Sequence, residues 1–356
     1  MNGHLHYIIP VIAALSLLCS AAVVTSAAED ASALSKSIPP FKHSVGETEG
    51  EIGFHQSIEV VSKLYSAKSL YQTIEIHESK HFGNILVLDD VIQITERDGD
   101  SYNEMMSHVP MFQHPNPKRV LIIGGGDGYV LHEVLKHDTV EHVDHVDLDG
   151  DVIETCKKFF PWGKTAWSDP RAHLHLADGS KFVQSTPNET YDVIIQDSSD
   201  PWTIDATTGE LVKLPSSVLY EDEHFENLHR VLKSDGILNI QAESFNVPSS
   251  LNGITLWRSM MLNYFQKVRY GSIIIPSYPT GHIGFLMCEK QEKDHETVAT
   301  IKQRYTALVK NNNIEPFTTY YHPGLQESAF QLPLWAMESI YGDPCQTDDD
   351  ADQATE

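Results

Sequence analysis

Four carboxylates, Asp127, Asp147, Asp178 and Asp197, each follow a short apolar run in this 356-residue chain. In an open α/β sheet, ligands lie in the crevice beyond the carboxyl ends of the strands, so acids that follow separate strands face one site. Each of them alone reads as a helix cap or turn former. Together they offer a pocket for positive charge and a group that takes up a proton. Beside the first, Gly124, Gly125, Gly126 and Gly128 make a turn with almost no side-chain bulk, which lets backbone close on a ligand.

The pattern around that turn selects the kind of ligand. A dinucleotide fingerprint needs Gly-x-Gly-x-x-Gly, but Gly124 and Gly126 are followed by Tyr129 in the third place. Asp127 also puts a negative charge where a pyrophosphate would lie, and a sulfonium nucleoside suits an acidic turn better. Asp147 ends the next apolar run, where an acid accepts hydrogen bonds from a ribose diol.

Stepping outward from the acids, apolar β-branched runs predict strands over 120–123, 142–148, 173–176, 191–196 and 237–241. Helical patterns over 129–137, 151–159, 218–232 and 251–266 alternate with them. Two more strands, near 268–275 and 282–288, turn at Pro279-Thr280-Gly281. This alternation predicts an α/β fold with a mostly parallel, doubly wound sheet and a terminal antiparallel hairpin. Upstream, period-two runs over 59–66, 71–77, 83–89 and 91–95, broken at Asp89-Asp90, predict a meander of hairpins, followed by a helix over 100–112. A further helix is expected over 295–309, then a less regular apolar stretch to Ile340. The expected organisation is a signal peptide over 1–27, a linker over 28–50 and a small N-terminal β module over 51–112. A Rossmann-like domain over 113–340 and an acidic tail over 341–356 complete it.

Ser101-Tyr102-Asn103-Glu104-Met105, the glycine turn, Ala177-Asp178-Gly179 and Tyr191 to Pro201, which ends Asp197-Ser198-Ser199-Asp200-Pro201, closely resemble the spermidine synthase family of polyamine aminopropyltransferases. The resemblance spans roughly residues 50–290 and implies a methyltransferase-like Rossmann fold. It further implies transfer of the aminopropyl group of decarboxylated S-adenosylmethionine to a di- or polyamine, with release of methylthioadenosine. By that resemblance Asp197 is the proton acceptor. Asp200, Tyr102, Gln241 and Tyr278 belong to the acceptor amine, and Asp127 to the ammonium of the donor's aminopropyl arm. Asp147 matches the ribose ligand, Asp178 with Gly179 the adenine side, and Gln72 a donor-binding glutamine. The co-substrate takes the place of a cofactor, no metal is expected, and relatives are dimers or tetramers.

The chain also departs from that family. Asp147 stands where many members have Glu, Asn103 where they have Gln or His, and Tyr129 where they have Gly. After Pro201 a long segment with Trp202, Asp205 and Glu210 replaces a short gatekeeping loop. Putrescine is therefore the default acceptor and a longer amine stays open. Two other readings are an N-methyltransferase acting on a diamine and a non-catalytic polyamine binder.

Composition agrees with a cationic ligand. The formal net charge of −25 disfavours nucleic-acid phosphate as a partner. Residues 7–24 are apolar and lead into Thr25-Ser26-Ala27-Ala28, a signal-peptide pattern that predicts entry to the secretory pathway, with cleavage after Ala27. The first six residues carry no Lys or Arg and the run is long, so a retained membrane anchor or a two-part organelle address stays open. Cys19, Cys156, Cys288 and Cys345 form no Cys-x-x-Cys pair, and Asn188-Glu189-Thr190 is a glycosylation sequon. The run His145-x-Asp147-x-Asp149 lacks the carboxylate that ends a calcium loop, and His132-Glu133 lacks a zinc-helix partner four residues on.

Overall fold

The computed structural model describes residues 43–342 apart from 50, 205–210, 292–296 and 313–315. The expected signal peptide and nearly all of the expected acidic tail lie outside the described residues, as do Asp205 and Glu210.

The chain enters through β1 (Ser44–Glu49), which pairs with β2 (Phe54–Glu59). The end of the expected linker is thus a strand. Its support is remote in sequence: Val45 packs against the cluster of Ile58, Val60 and Ile85, and Glu47 accepts the Ile92 N–H at 2.7 Å. Next come β3 (Ser62–Lys68), β4 (Thr73–Ser79), β5 (Gly83–Leu88) and β6 (Val91–Thr95), an antiparallel sheet in chain order. The single strand expected over 59–66 is divided between β2 and β3. Asp89 and Asp90 both take positive φ, 46° and 69°, the two-residue turn whose twist matches that of a hairpin.

Helix α1 (Gly99–Gln113) is buried on nearly every side. It packs against Val120, Ile122, Val193 and Ile195 of the large sheet, so it belongs to the core of the second domain and not to the β module. It carries Tyr102.

That sheet has seven strands: β7 (Arg119–Gly124), β8 (His142–Asp147), β9 (Ala172–Leu176), β10 (Tyr191–Asp197), β13 (Leu232–Ala242), β14 (Lys267–Ile274) and β15 (His282–Glu289). Their order is β14-β15-β13-β10-β7-β8-β9, with β15 antiparallel to both of its neighbours and the rest parallel. Strands buried on both faces need unbroken apolar runs. Successive side chains of β7 serve opposite cores, Val120 and Ile122 one, Leu121 and Ile123 the other. Helices α2 (Tyr129–Val134), α3 (Gly150–Phe159), α4 (Gly179–Ser185), α5 (Asp222–Val231) and α6 (Pro248–Met261) connect the strands. Helices α7 (Val298–Asn312), α8 (Pro323–Ala329) and α9 (Leu334–Tyr341) follow β15, so the less regular stretch expected there contains two short helices.

The chain winds from β7 to β8 and β9 on one side, then returns to β10 on the other side of β7. The crevice therefore opens at the carboxyl ends of β7 and β10, where the strand order reverses. After β10 the expected long loop carries a strand pair: β11 (Trp202–Ile204) pairs with β12 (Leu211–Lys213), and a 3₁₀ turn, Pro215–Tyr220, leads to α5.

Candidate active site

Strand register brings the glycine turn to Asp197. Asp197 lies opposite Gly124, and the Gly125 N–H donates to the Asp197 carbonyl at 2.8 Å. Gly124, Gly125 and Gly128 have φ of 79°, 66° and 82°. A Cβ on Gly125 would lie 2.9 Å from Asp197 Oδ2, and one on Gly126 2.8 Å from Asp147 Oδ2. The absence of side chains is what lets the acids approach the backbone here. Tyr129 stacks on Trp162 with ring centroids 4.3 Å apart, and its N–H donates to Asp127 Oδ1 at 2.7 Å.

Asp127, Asp147 and Asp197 converge. Burial lifts all three above the ordinary carboxylate range, and for Asp127 the charges of Asp197 and Asp147 add to it. Asp147 is pushed up to about 7 by burial, with the charges of Asp149 and Asp197 adding. The Tyr102 hydroxyl donates to Asp197 Oδ1 at 2.6 Å and partly offsets the effect of burial there. Acids crowded out of water hold protons until positive charge arrives to replace them.

Asp178 also makes a local hydrogen bond. It ends the turn after β9 as expected, and its carboxylate caps α4, accepting the Lys181 N–H at 3.2 Å, with Lys181 Nζ 3.4 Å away. An Asp at the cap position accepts a free helix N–H in this way. Gly179 opens α4, where a Cβ would press on Ile123. Gln72 reaches across from the β module: its Nε2 donates to Asp149 Oδ2 at 3.0 Å, beside Ser69 Oγ at 2.6 Å. The Asp149 N–H in turn holds Asp147 Oδ1 at 2.8 Å. Asp149, which is absent from the residues expected at the site, thus links Gln72 to Asp147.

A second acidic group lies beside Asp200. The Asp200 and Glu243 carboxyls hydrogen-bond each other, and burial raises both. Glu47 is pushed up to about 7, by burial first and then by the charges of Asp200 and Glu49, and Glu49 is raised by burial and by Asp200. Sequence reasoning misses Glu47, Glu49 and Glu243. Glu243 carries a usable signal, an acid just after the apolar run of β13, whereas Glu47 and Glu49 fall in what reads as a linker. Gln241 is buried at the end of β13, and its Oε1 accepts from the Tyr220 hydroxyl at 2.7 Å. The Tyr278 ring lies 6.2 Å from that of Tyr102, and its hydroxyl donates to the Gln93 carbonyl at 2.6 Å. Trp202 packs on Trp257 with centroids 5.2 Å apart, pinning the base of the β11–β12 hairpin.

Among the described residues, His114, Asp192 and Asp235 are the one grouping with the spacing of a metal site. It sits at the start of β10, at the other end of the strand from Asp197, and the Lys233 ammonium is 2.7 Å from Asp192.

Residues 99–298 match the family described as the spermine/spermidine synthase domain, and residues 47–96 match the spermidine synthase tetramerisation domain. The spermidine synthase of Solanum lycopersicum is 36% identical over 291 residues, covering 81% of this chain and 80% of the relative. That of Schizosaccharomyces pombe is 37% identical over 288 residues, 81% and 90%. The spermidine synthase of Thermotoga maritima superposes with a TM-score of 0.73 at 29% identity, over 86% of this chain and 97% of that one. A spermidine synthase crystallised with the transition-state analogue AdoDATO gives 0.74 at 29% identity, over 85% and 97%.

Proposed function

The chain belongs to the spermidine synthase family, and from that premise we propose the following division of labour among its acids. The enzyme is an aminopropyltransferase that moves the aminopropyl group of decarboxylated S-adenosylmethionine to putrescine, giving spermidine and methylthioadenosine. The nucleoside lies over the glycine turn, with its ribose on Asp147 and its aminopropyl ammonium on Asp127. Asp178 and Gly179 border the adenine, and Gln72 holds the donor side through Asp149. Intact S-adenosylmethionine carries a carboxylate beside that ammonium, which Asp127 repels.

The acceptor amine lies between Tyr102 and Tyr278, its reacting nitrogen near Gln241 and its distal ammonium at Asp200. The reacting nitrogen attacks the methylene next to the sulfonium, the C–S bond breaks, and the nitrogen's proton passes to Asp197. An ammonium with a pKa near 10 gives up its proton reluctantly at neutral pH, so a carboxylate that burial makes more basic narrows the gap. The observation that carries this reading is the convergence of Asp127, Asp147 and Asp197 at the strand-order reversal, with Tyr102 donating to Asp197.

Incubating purified protein with decarboxylated S-adenosylmethionine and putrescine, and following the products by mass spectrometry, tests it. Spermidine and methylthioadenosine are expected in equal amounts, at a rate unchanged by EDTA because no metal or cofactor takes part. Methylated putrescine formed from intact S-adenosylmethionine would reverse the assignment.

The protein works as an oligomer. The β module exposes Phe54, Val61, Leu64 and Leu70, an apolar surface suited to other copies of the chain, and the proposed assembly is a homodimer or homotetramer. Light scattering of wild type against Leu64→Asp checks this. The 1–27 segment is proposed to send the enzyme into the secretory pathway, which N-terminal sequencing of the mature protein would test.

A further inference from the structure

The segment between the catalytic loop and α5 ends in Tyr220, which the division of labour above leaves without a task. Its hydroxyl donates to Gln241 Oε1 at 2.7 Å and lies 3.2 Å from the Ser198 hydroxyl, which donates to it. Ser198 directly follows Asp197 in the chain, and Gln241 is the last residue but one of β13. Tyr220 thus bonds both to the loop that carries the proposed proton acceptor and to the floor of the proposed amine slot. Its ring is fixed independently, 4.7 Å from the Trp257 ring, which Trp202 also contacts. The turn before it is tied to β10 as well, since Gln196 Nε2 donates to the Leu219 carbonyl at 3.0 Å while Gln196 Oε1 is held by His224 Nε2 at 2.9 Å.

Burial raises the Tyr220 phenol well above its ordinary value, and the charges of Glu243, Asp200 and Asp197 act in the same direction, so the hydroxyl keeps its proton and stays a donor. A buried hydroxyl that donates to one element and accepts from another holds those elements at a set spacing. We infer that Tyr220 is a positioning residue for the acceptor amine: its hydroxyl spaces Asp197 from Gln241 so that one nitrogen reaches both. The inference rests on the aminopropyl-transfer reading. It gives the long segment after Pro201 a task inside the slot, since that segment delivers the hydroxyl.

Tyr220→Phe keeps the ring on Trp257 and removes only the hydroxyl. Steady-state kinetics with each substrate varied in turn, at a temperature where circular dichroism shows the variant folded, separates the two roles. The expected result is an acceptor KM raised roughly five- to tenfold, the scale of one lost hydrogen bond, together with a lower kcat. The donor KM stays at its wild-type value, which general loosening of the cleft would not leave untouched. An active wild type matched by Tyr220→Phe in acceptor KM and kcat overturns the inference alone, as does an equal rise in both KM values. Wild-type protein inert toward both substrates overturns the functional reading, and the inference with it.

Discussion

Tyr102 and Asp197, 95 residues apart in sequence, share a hydrogen bond of 2.6 Å in which the phenol donates to Oδ1. The bond orients the carboxylate and leaves Oδ2 toward Gly125. Asp197→Asn keeps the shape but cannot take up a proton. Its kcat is expected to fall on the order of a thousandfold, within the range of a lost general base, while methylthioadenosine affinity by calorimetry stays near wild type. Tyr102→Phe should cost roughly tenfold, the scale of one hydrogen bond to a charged group. Wild-type turnover in Asp197→Asn would remove the aspartate from the reaction.

Gly125 and Gly53 both hold left-handed backbone, with φ of 66° and 64°, but a Cβ meets Asp197 only at Gly125 and nothing within 4 Å at Gly53. Alanine at either site carries a backbone strain of about 1 kcal/mol. Gly125→Ala adds a clash inside the crevice. Donor binding should therefore be abolished in Gly125→Ala and kept in Gly53→Ala, with calorimetric titration of methylthioadenosine as the measurement.

The raised acids predict a pH dependence of definite sign. A carboxyl whose value is higher in the folded protein stabilises the fold fully below its ordinary value and loses that contribution as pH rises through the folded value, about 7 for Asp147 and for Glu47. These groups lower the melting temperature of the ligand-free protein between about pH 5 and about pH 8. Cationic substrates reverse the trend, because they bind the ionised acids and drive protons off. Calorimetry in two buffers of different ionisation enthalpy should register proton release when the donor binds near neutral pH, and kcat/KM should rise through the same window. Proton uptake would contradict this.

Gln72→Ala removes the 3.0 Å hydrogen bond to Asp149, whose N–H holds Asp147. A hydrogen bond to a charged group contributes about 1.5–3 kcal/mol, so the donor KM should rise at least tenfold while the acceptor KM holds. An equal rise in both would mean that Gln72 supports the module as a whole and has no particular effect on the nucleoside side.

Much of this site is legible in the sequence because its parts obey local rules. The apolar runs of β7 and β10, the glycine turn and the acids after the strands each need only a few neighbouring residues to be recognised. Asp178 follows the same rule and also caps its own helix, a bond to Lys181 that depends on where α4 begins. Glu47 and Glu49 obey no local rule. They sit in a polar stretch that becomes a strand only through β2 and through Ile92, 45 residues further on.

The amino-acid sequence by itself determined the doubly wound sheet, the bare glycine turn and the acidic ends of its strands, because strand period and backbone sterics act over a few residues. Only the tertiary structure decided which carboxylates face each other: Asp127 with Asp147 and Asp197, Asp200 with Glu243 and Glu47. Charge repulsion and the loss of water depend on distances between segments far apart in the chain, and the folded packing sets those distances.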